Sequence, residues 1–206
     1  HLIQSQLLLH VAVTGIVYTN DCSKLYNVIE RSILVMRKKG GLSLANSLQE
    51  EYQKIVKMNY SELVTYLNNK YGPVPGSYFR TPTCKSKNSK ITRSMEGLEV
   101  HHVGEDKYPN LSDIKYALTA PWEEQLPDHL VYCNLLEHTL LHTLISEKHG
   151  TLQPYFSFKA DLIRDIINDY EFKREWLKVV YSQMKDNKEL LIELYDRVNA
   201  KSLLNL

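Results

Sequence analysis

Apolar residues recur every three or four positions through the first third of the chain, the period of a helix with one face in a core. Leu25, Val28, Ile29, Ile33 and Met36 mark one such helix, stopped by Gly40-Gly41. Ahead of it the apolar run Leu7 to Tyr18, interrupted by His10 and Thr14, is too short to span a bilayer and lacks the basic flank of a signal peptide, so it reads as a buried core element. A second helix is expected over about Leu44 to Lys57. Asn59 with Glu62 offers a capping box for a third, which carries Leu63, Val64 and Leu67 and ends at Gly72-Pro73. The last third returns to the same period. Leu162, Ile163, Ile166, Ile167 and Tyr170 form one stripe, Trp176, Val179, Val180 and Met184 another, and Leu190, Leu191, Leu194, Tyr195 and Val198 a third.

Between these helical flanks the pattern changes. Residues 73 to 94, rich in Pro, Gly, Ser, Thr and Lys, read as loop or irregular strand. GLEVHHV, Gly97 to Val103, then reads as a strand, and HLVYC, His129 to Cys133, as a second. Asn134 with Glu137 makes another capping box, opening a helix through Leu135, Leu136, Leu140, Leu141, Leu144 and Ile145. The expected fold class is therefore α+β and predominantly helical. One compact domain over 1–206 is expected, with a helical part over 1–72, a basic connection over 73–96, a strand-loop-strand-helix unit over 97–149 and C-terminal helices over 150–206. There is no internal repeat and no low-complexity tract.

Composition adds two facts. With 206 residues, 43% apolar and 24% charged, the chain is of ordinary globular type, and its net charge of +1 does not announce a nucleic-acid partner. The charge is unevenly placed, however. From Leu63 to Met95 there is no acidic residue, while Lys70, Arg80, Lys85, Lys87, Lys90 and Arg93 supply six cations, an excess suited to a phosphate backbone. Cys22, Cys84 and Cys133 are scattered with no CxxC pair, which argues against a disulfide framework or zinc knuckle and for a reducing, cytoplasmic setting. The chain opens on His rather than Met, as a piece of a longer protein would.

The candidate chemistry lies in the histidines, six of whose eight members fall between residues 101 and 149. His101 and His102 are adjacent, so on a strand they point to opposite faces, or at a strand end to two sides of one pocket. His138 and His142 are four apart on the expected helix, which stacks them one turn apart on one face, a spacing able to hold one metal ion. A single helix histidine beside leucines is ordinarily packing; the pair, preceded by a strand-borne HH, changes the reading.

LEVHHV followed by DHLVYCNLLEHTLLH resembles the HNH, or ββα-metal, nucleases, whose signature runs from a strand ending in HH or DH through a central Asn or His to a helix with the last ligands. The nuclease colicins are similar in the double histidine and the helix pair. The resemblance covers 97–142 and leaves most of the chain unaccounted for. It implies a ββα-metal catalytic unit set between the N- and C-terminal helices, with His101, His138 and His142 as metal ligands and His102 as the general base that activates water. The place of the family's central Asn is taken by His129, whose role would be to orient base or substrate; Asn134 is the alternative occupant, although capping explains it more simply.

The chemistry suits these residues. An imidazole with a pKa near 6.5 takes up a proton under cytoplasmic conditions, and one divalent cation acts as Lewis acid at the phosphate and the leaving 3′ oxygen. All-imidazole ligation favours Zn, Ni or Mn, and the resemblance also admits Mg. Glu99, Glu105 and Asp106 stand close enough in sequence to tune the ion or orient an imidazole. His149, near the helix end, is assigned no catalytic role.

DNA is the implied substrate, with RNA as an alternative, and no membrane is involved. Arg80, Lys85, Lys87, Lys90 and Arg93 would contact phosphates, and Tyr78, Phe79 and Arg80 are candidates for any sequence preference. The implied roles are a restriction or defence enzyme, a mobile-element nuclease, or a toxin domain whose immunity or inhibitor protein masks the same surface. Two rival classes stand beside this reading. One is a non-catalytic, zinc-stabilised DNA-binding or protein-interaction module, which requires a closed four-ligand site. The other is a helical scaffold with incidental histidines and no metal.

Overall fold

The computed structural model describes residues 44–204. The core element expected over Leu7 to Tyr18, the helix carrying Leu25 to Met36, and Cys22 lie outside the described residues. The described chain is α+β and mostly helical. Helices α1 (Leu44–Ile55) and α2 (Tyr60–Tyr71) are followed by strand β1 (Glu99–His102), a short helix α3 (Ile114–Ala117) and strand β2 (Leu130–Cys133). Helices α4 (Leu135–His149), α5 (Pro154–Ile167), α6 (Glu175–Met184) and α7 (Lys188–Leu204) complete the order. Among the described residues no helix is long and apolar enough to cross a membrane.

Helix α4 is the centre of the molecule. Residues are buried on every side of it, from Leu135 and Leu136 through Leu140 and Leu141 to Ile145, and α2, α5, α7 and both strands pack around it. A helix so enclosed cannot leave backbone donors unpaired at its N-terminus, because no water is there to satisfy them. The capping box supplies the partners. Asn134 Oδ1 accepts from the Glu137 amide at 2.9 Å, and Glu137 Oε2 accepts from the Asn134 amide at 2.7 Å. The Glu137 carboxylate, 1% exposed, is in turn held by Lys70 Nζ at 2.7 Å and by the Tyr71 hydroxyl at 3.0 Å. These contacts lock α2 onto the start of α4. Asn59 and Glu62 build the second expected capping box at the start of α2.

β1 and β2 pair antiparallel in the register Glu99↔Cys133, Val100↔Tyr132, His101↔Val131 and His102↔Leu130. The pair is shorter than the pattern suggests. The first strand begins only at Glu99, after the left-handed Gly97, and His129 belongs to a 3-10 turn, Pro127–His129, rather than to β2. β2 is buried at all four positions and runs directly into α4 through Asn134.

The basic connection is packed rather than a solvated loop. Val74, Phe79, Cys84 and Ile91 are buried beneath it, Phe79 bridges Lys87, and Asn88 caps a 3-10 turn, Ser89–Ile91. The three C-terminal stripes form α5, α6 and α7, and their apolar faces join one core with α1, α2 and α4. Tyr170 departs from its stripe. Asn168 ends α5 and Asp169 takes a left-handed φ of 57°, which turns the Tyr170 ring out to solvent.

Asn134→Ala removes one cap bond and is expected to cost about 1 kcal/mol. Glu137→Ala also removes the buried acceptor of the Lys70 ammonium, which keeps Glu51, and of the Tyr71 hydroxyl, and should cost about 2 kcal/mol. Urea denaturation of both variants reads the order, and an equal or inverted cost would remove Glu137 from the clamp between α2 and α4.

Candidate metal centre

His101 comes from the third position of β1, and His138 and His142 from the first two turns of α4. Since β1 pairs with β2 and β2 continues into α4, the strand pair delivers His101 against the helix face that carries the other two. The rings form a nearly equilateral triangle. Their centroids are 5.2 Å apart for His101 and His138, 4.9 Å for His101 and His142, and 5.0 Å for His138 and His142. One ligand atom from each lies within 4.8 Å of the others. All three are buried, at 1%, 9% and 5% exposure respectively.

His101 and His138 are each gripped from outside by a group that decides which nitrogen keeps a lone pair. The Tyr60 hydroxyl donates to the Val103 carbonyl at 3.0 Å, so its oxygen is left to accept from His101 Nε2 at 2.8 Å. His101 Nδ1 then carries the lone pair, and it is buried with no hydrogen-bond partner. His138 Nδ1 donates to Glu99 Oε2 at 2.6 Å, while the other oxygen of Glu99 is held by Lys159. His138 Nε2 is thereby left with its lone pair. His142 stacks on Tyr155 at 4.2 Å and 7°, its Nε2 lies 3.2 Å from Glu105 Oε2, and its Nδ1 is buried without a partner.

Leaving such nitrogens buried and unpaired costs roughly 1–3 kcal/mol apiece, and a bound cation relieves that cost. Ligand atoms around one zinc-sized ion sit about 3.4 Å from each other. The three imidazoles therefore close on an ion with small side-chain movements, and the residues fit a divalent cation.

Electrostatics sharpen the picture. Burial and the mutual repulsion of the three rings push His101 well below the ordinary imidazole range. Burial, helped by His138 and only partly offset by Glu105, brings His142 down to about 4. Burial opposes the charge on Glu99, but the hydrogen bond and charge of His138, with the ammonium of Lys159, outweigh it and hold that carboxyl far below its usual range. Glu105 is also resisted by burial and is also held low, by the hydrogen bond and charge of His142 and by the neighbouring histidines. The charge on His142 that would help lower Glu105 is opposed by the burial that keeps His101 and His142 neutral, so the carboxylate rests on its hydrogen bond with His142.

His102 departs from expectation. A base that activates water is expected to meet solvent, yet His102 is 1% exposed. Its Nε2 meets Gln125 Oε1 at 3.1 Å, and Gln125 is itself fixed by donating to the Leu111 carbonyl, so Nε2 carries the proton and Nδ1 the lone pair. Tyr78 covers the ring at 4.5 Å, and Glu105 Oε1 lies 3.8 Å from Nδ1. Burial lowers the pKa of His102, against the opposing pull of Glu105 and Gln125.

A cleft of about 1030 Å³ reaches His101, His102, His138, His142 and Glu105. His129 is not among its lining residues; 42% of its side chain is exposed, and its Nδ1 pairs with Glu124 at 3.1 Å. The 3-10 turn before β2 holds it there. Asn134 is used up in capping α4.

Of the expected phosphate contacts, Lys85, Lys87 and Arg93 line the cleft while Arg80 and Lys90 do not. Arg93 is already engaged, with Glu96 at 2.6 and 2.7 Å, the Tyr71 carbonyl at 2.9 Å and the Tyr132 ring at 4.8 Å. Lys115 and Lys159 line the cleft and were missed, as were Tyr60, Gln125 and Tyr155, which contact the imidazoles. No local spacing announces these residues, because each arrives from an element remote in sequence. Comparison with family models, with curated proteins and with solved structures finds no match for this chain.

The depressed pKa of His142 has a consequence for stability. The unfolded chain takes up a proton near pH 6.5, and the folded one only near 4. Between these values the unfolded state binds more protons, so stability rises with pH and is lost on acidification. Metal-free protein is expected to lose on the order of 3 kcal/mol from this group as pH falls from 6.5 to 4. Urea midpoints across that window measure it, and His142→Leu should flatten the slope.

Proposed function

We propose that this chain is a divalent-metal-dependent endonuclease of the HNH kind, hydrolysing phosphodiester bonds of DNA, with β1, β2 and α4 as its ββα-metal unit. The single observation that carries the reading is the convergence of His101, His138 and His142 on one buried point, with unpaired nitrogens among them. Three imidazoles from a strand and a following helix, beside a fourth on the adjacent strand position, support that reading.

The residues divide the work. His101, His138 and His142 hold one divalent ion, Mg, Mn, Zn or Ni, oriented by Tyr60, Glu99 and the Tyr155 ring. When bound, the ion supplies Lewis-acid stabilisation to the phosphate and its leaving oxygen. His102, locked by Gln125 with its Nδ1 lone pair available, removes a proton from water. Its lowered pKa keeps it neutral, and so competent as a base, at pH 7. Lys85, Lys87 and Lys115 draw the phosphate chain into the cleft, while Lys159 is held by Glu99. Arg93, tied to Glu96, and Arg80 and Lys90, outside the cleft, drop out of the contact set, and His129 has no part in the reaction. The setting proposed is action on intracellular DNA, or RNA, as a restriction, mobile-element or toxin nuclease, with an immunity or inhibitor protein as partner in the last case.

The burial of the imidazoles favours a second reading, a zinc-stabilised binding module without catalysis. The cleft that reaches them favours the first.

Incubating supercoiled plasmid with the protein and a panel of divalent ions separates the two. Cleavage, its suppression by chelator, and a loss of about a hundredfold or more in His102→Ala are expected. Stoichiometric metal without cutting under any ion would leave the binding module. For substrate contact, Lys85→Ala and Lys87→Ala should each lower the salt dependence of DNA binding by about one phosphate charge. Unchanged slopes would take these lysines off the substrate path.

A further inference from the structure

Among the described residues, Glu105 is the cleft carboxylate whose ionic partners are all imidazoles. Its Oε2 lies 3.2 Å from His142 Nε2 and 3.8 Å from His101 Nδ1, and its Oε1 lies 3.8 Å from His102 Nδ1. Only 10% of its side chain is exposed. Glu99, the other carboxylate of the site, is differently placed, since the Lys159 ammonium compensates it.

A desolvated carboxylate is stable only when something positive or strongly hydrogen-bonding faces it. Two of its three neighbours cannot serve. His101 spends its N–H on Tyr60 and His102 spends its own on Gln125, so both turn an acceptor nitrogen toward an acceptor oxygen at 3.8 Å. Facing acceptors at that distance repel unless a cation or a donor sits between them. The gap between His101 Nδ1 and Glu105 Oε2 is close to the roughly 3.4 Å spacing of two atoms ligating one ion. The gap between His102 Nδ1 and Glu105 Oε1 suits a bridging water.

We propose that Glu105 is a fourth protein ligand, binding the cation through Oε2 beside His101, His138 and His142, while Oε1 shares a water with His102. The inference rests on the metal-site part of the function proposed above. Local chain geometry supports it. A 3-10 turn, Val103–Asp106, follows β1 at once and brings Glu105 back beside the imidazoles at positions 101 and 102. Gly104 makes room for this turn, because a Cβ there would lie 2.0 Å from Glu124 Oε2. The carboxylate alters the metal chemistry as well. A three-imidazole site leaves the full double charge of the ion in a buried place, whereas one carboxylate halves it and adds the hard oxygen donor that manganese and magnesium prefer.

Calorimetric titration of the chelator-stripped protein with Mn²⁺ and with Zn²⁺ tests this without reference to cleavage. In E105Q the shape is kept and the charge removed; Mn²⁺ affinity is expected to fall at least tenfold, and more than Zn²⁺ affinity. H129A, outside the cleft, should bind both ions as the parent does. A crystal structure of the zinc-loaded parent should place Glu105 Oε2 about 2.1 Å from the ion. Thermal unfolding in chelator confirms that E105Q folds. Unchanged affinities in folded E105Q, or an ion bound by the three histidines with Glu105 Oε2 beyond 3.5 Å, would overturn the proposal. Because metal binding is the readout, weakened binding in E105Q alongside a protein that cuts nothing would uphold Glu105 as a ligand and sink the nuclease reading. Cleavage that persists with full metal affinity in E105Q would do the reverse.

Discussion

The structure depends on the burial of α4. A fifteen-residue helix enclosed on all sides must present apolar residues nearly everywhere, yet this one carries His138, His142, Glu137, Thr139 and Thr143 into the interior. Each polar group there needs a partner, and those partners organise the rest of the fold. Glu137 draws in Lys70 and Tyr71 of α2, His138 draws in Glu99 of β1 and through it Lys159 of α5, and Thr139 meets the Tyr155 hydroxyl. Scaffold and candidate site are thus one polar network threaded through an apolar core, and a half-satisfied network of this kind is costly.

That cost explains the distribution of strain around the imidazoles. Every ring has one nitrogen satisfied by a fixed neighbour, while buried nitrogens of His101 and His142 are left bare. A core built for stability alone would fill those positions with leucine, as it does at Leu140 and Leu141 on the same helix. Retaining orphaned acceptors and a desolvated Glu105 in one place is the arrangement expected where a ligand completes the set. The surroundings of His102 follow the same logic. Gln125 chooses its tautomer and Tyr78 covers its face, so the imidazole is held in one orientation at the expense of exposure.

Much of this was readable from spacing. Both capping boxes, Asn59 with Glu62 and Asn134 with Glu137, stand where the local pattern puts them, because a cap is a contact across three residues. The His138 and His142 pair and the order of strand, strand and helix are also short-range facts. The basic connection was less legible. Its turn-rich composition describes the backbone, but Val74, Phe79, Cys84 and Ile91 bury themselves irregularly, without a period to betray it.

By itself, then, the sequence determined the elements, the helix starts and the helix pair His138 and His142, all consequences of residues within a turn or two of each other. Tertiary structure decided which nitrogen of each ring is free, that His102 is buried against Gln125, and that Arg93 is spent on Glu96 and Tyr132. It also turned His129 toward Glu124 and set Glu105 among the histidines. These are matters of which distant surfaces meet, and of a few tenths of an ångström between polar atoms once water is excluded. Periodicity carries no information about either.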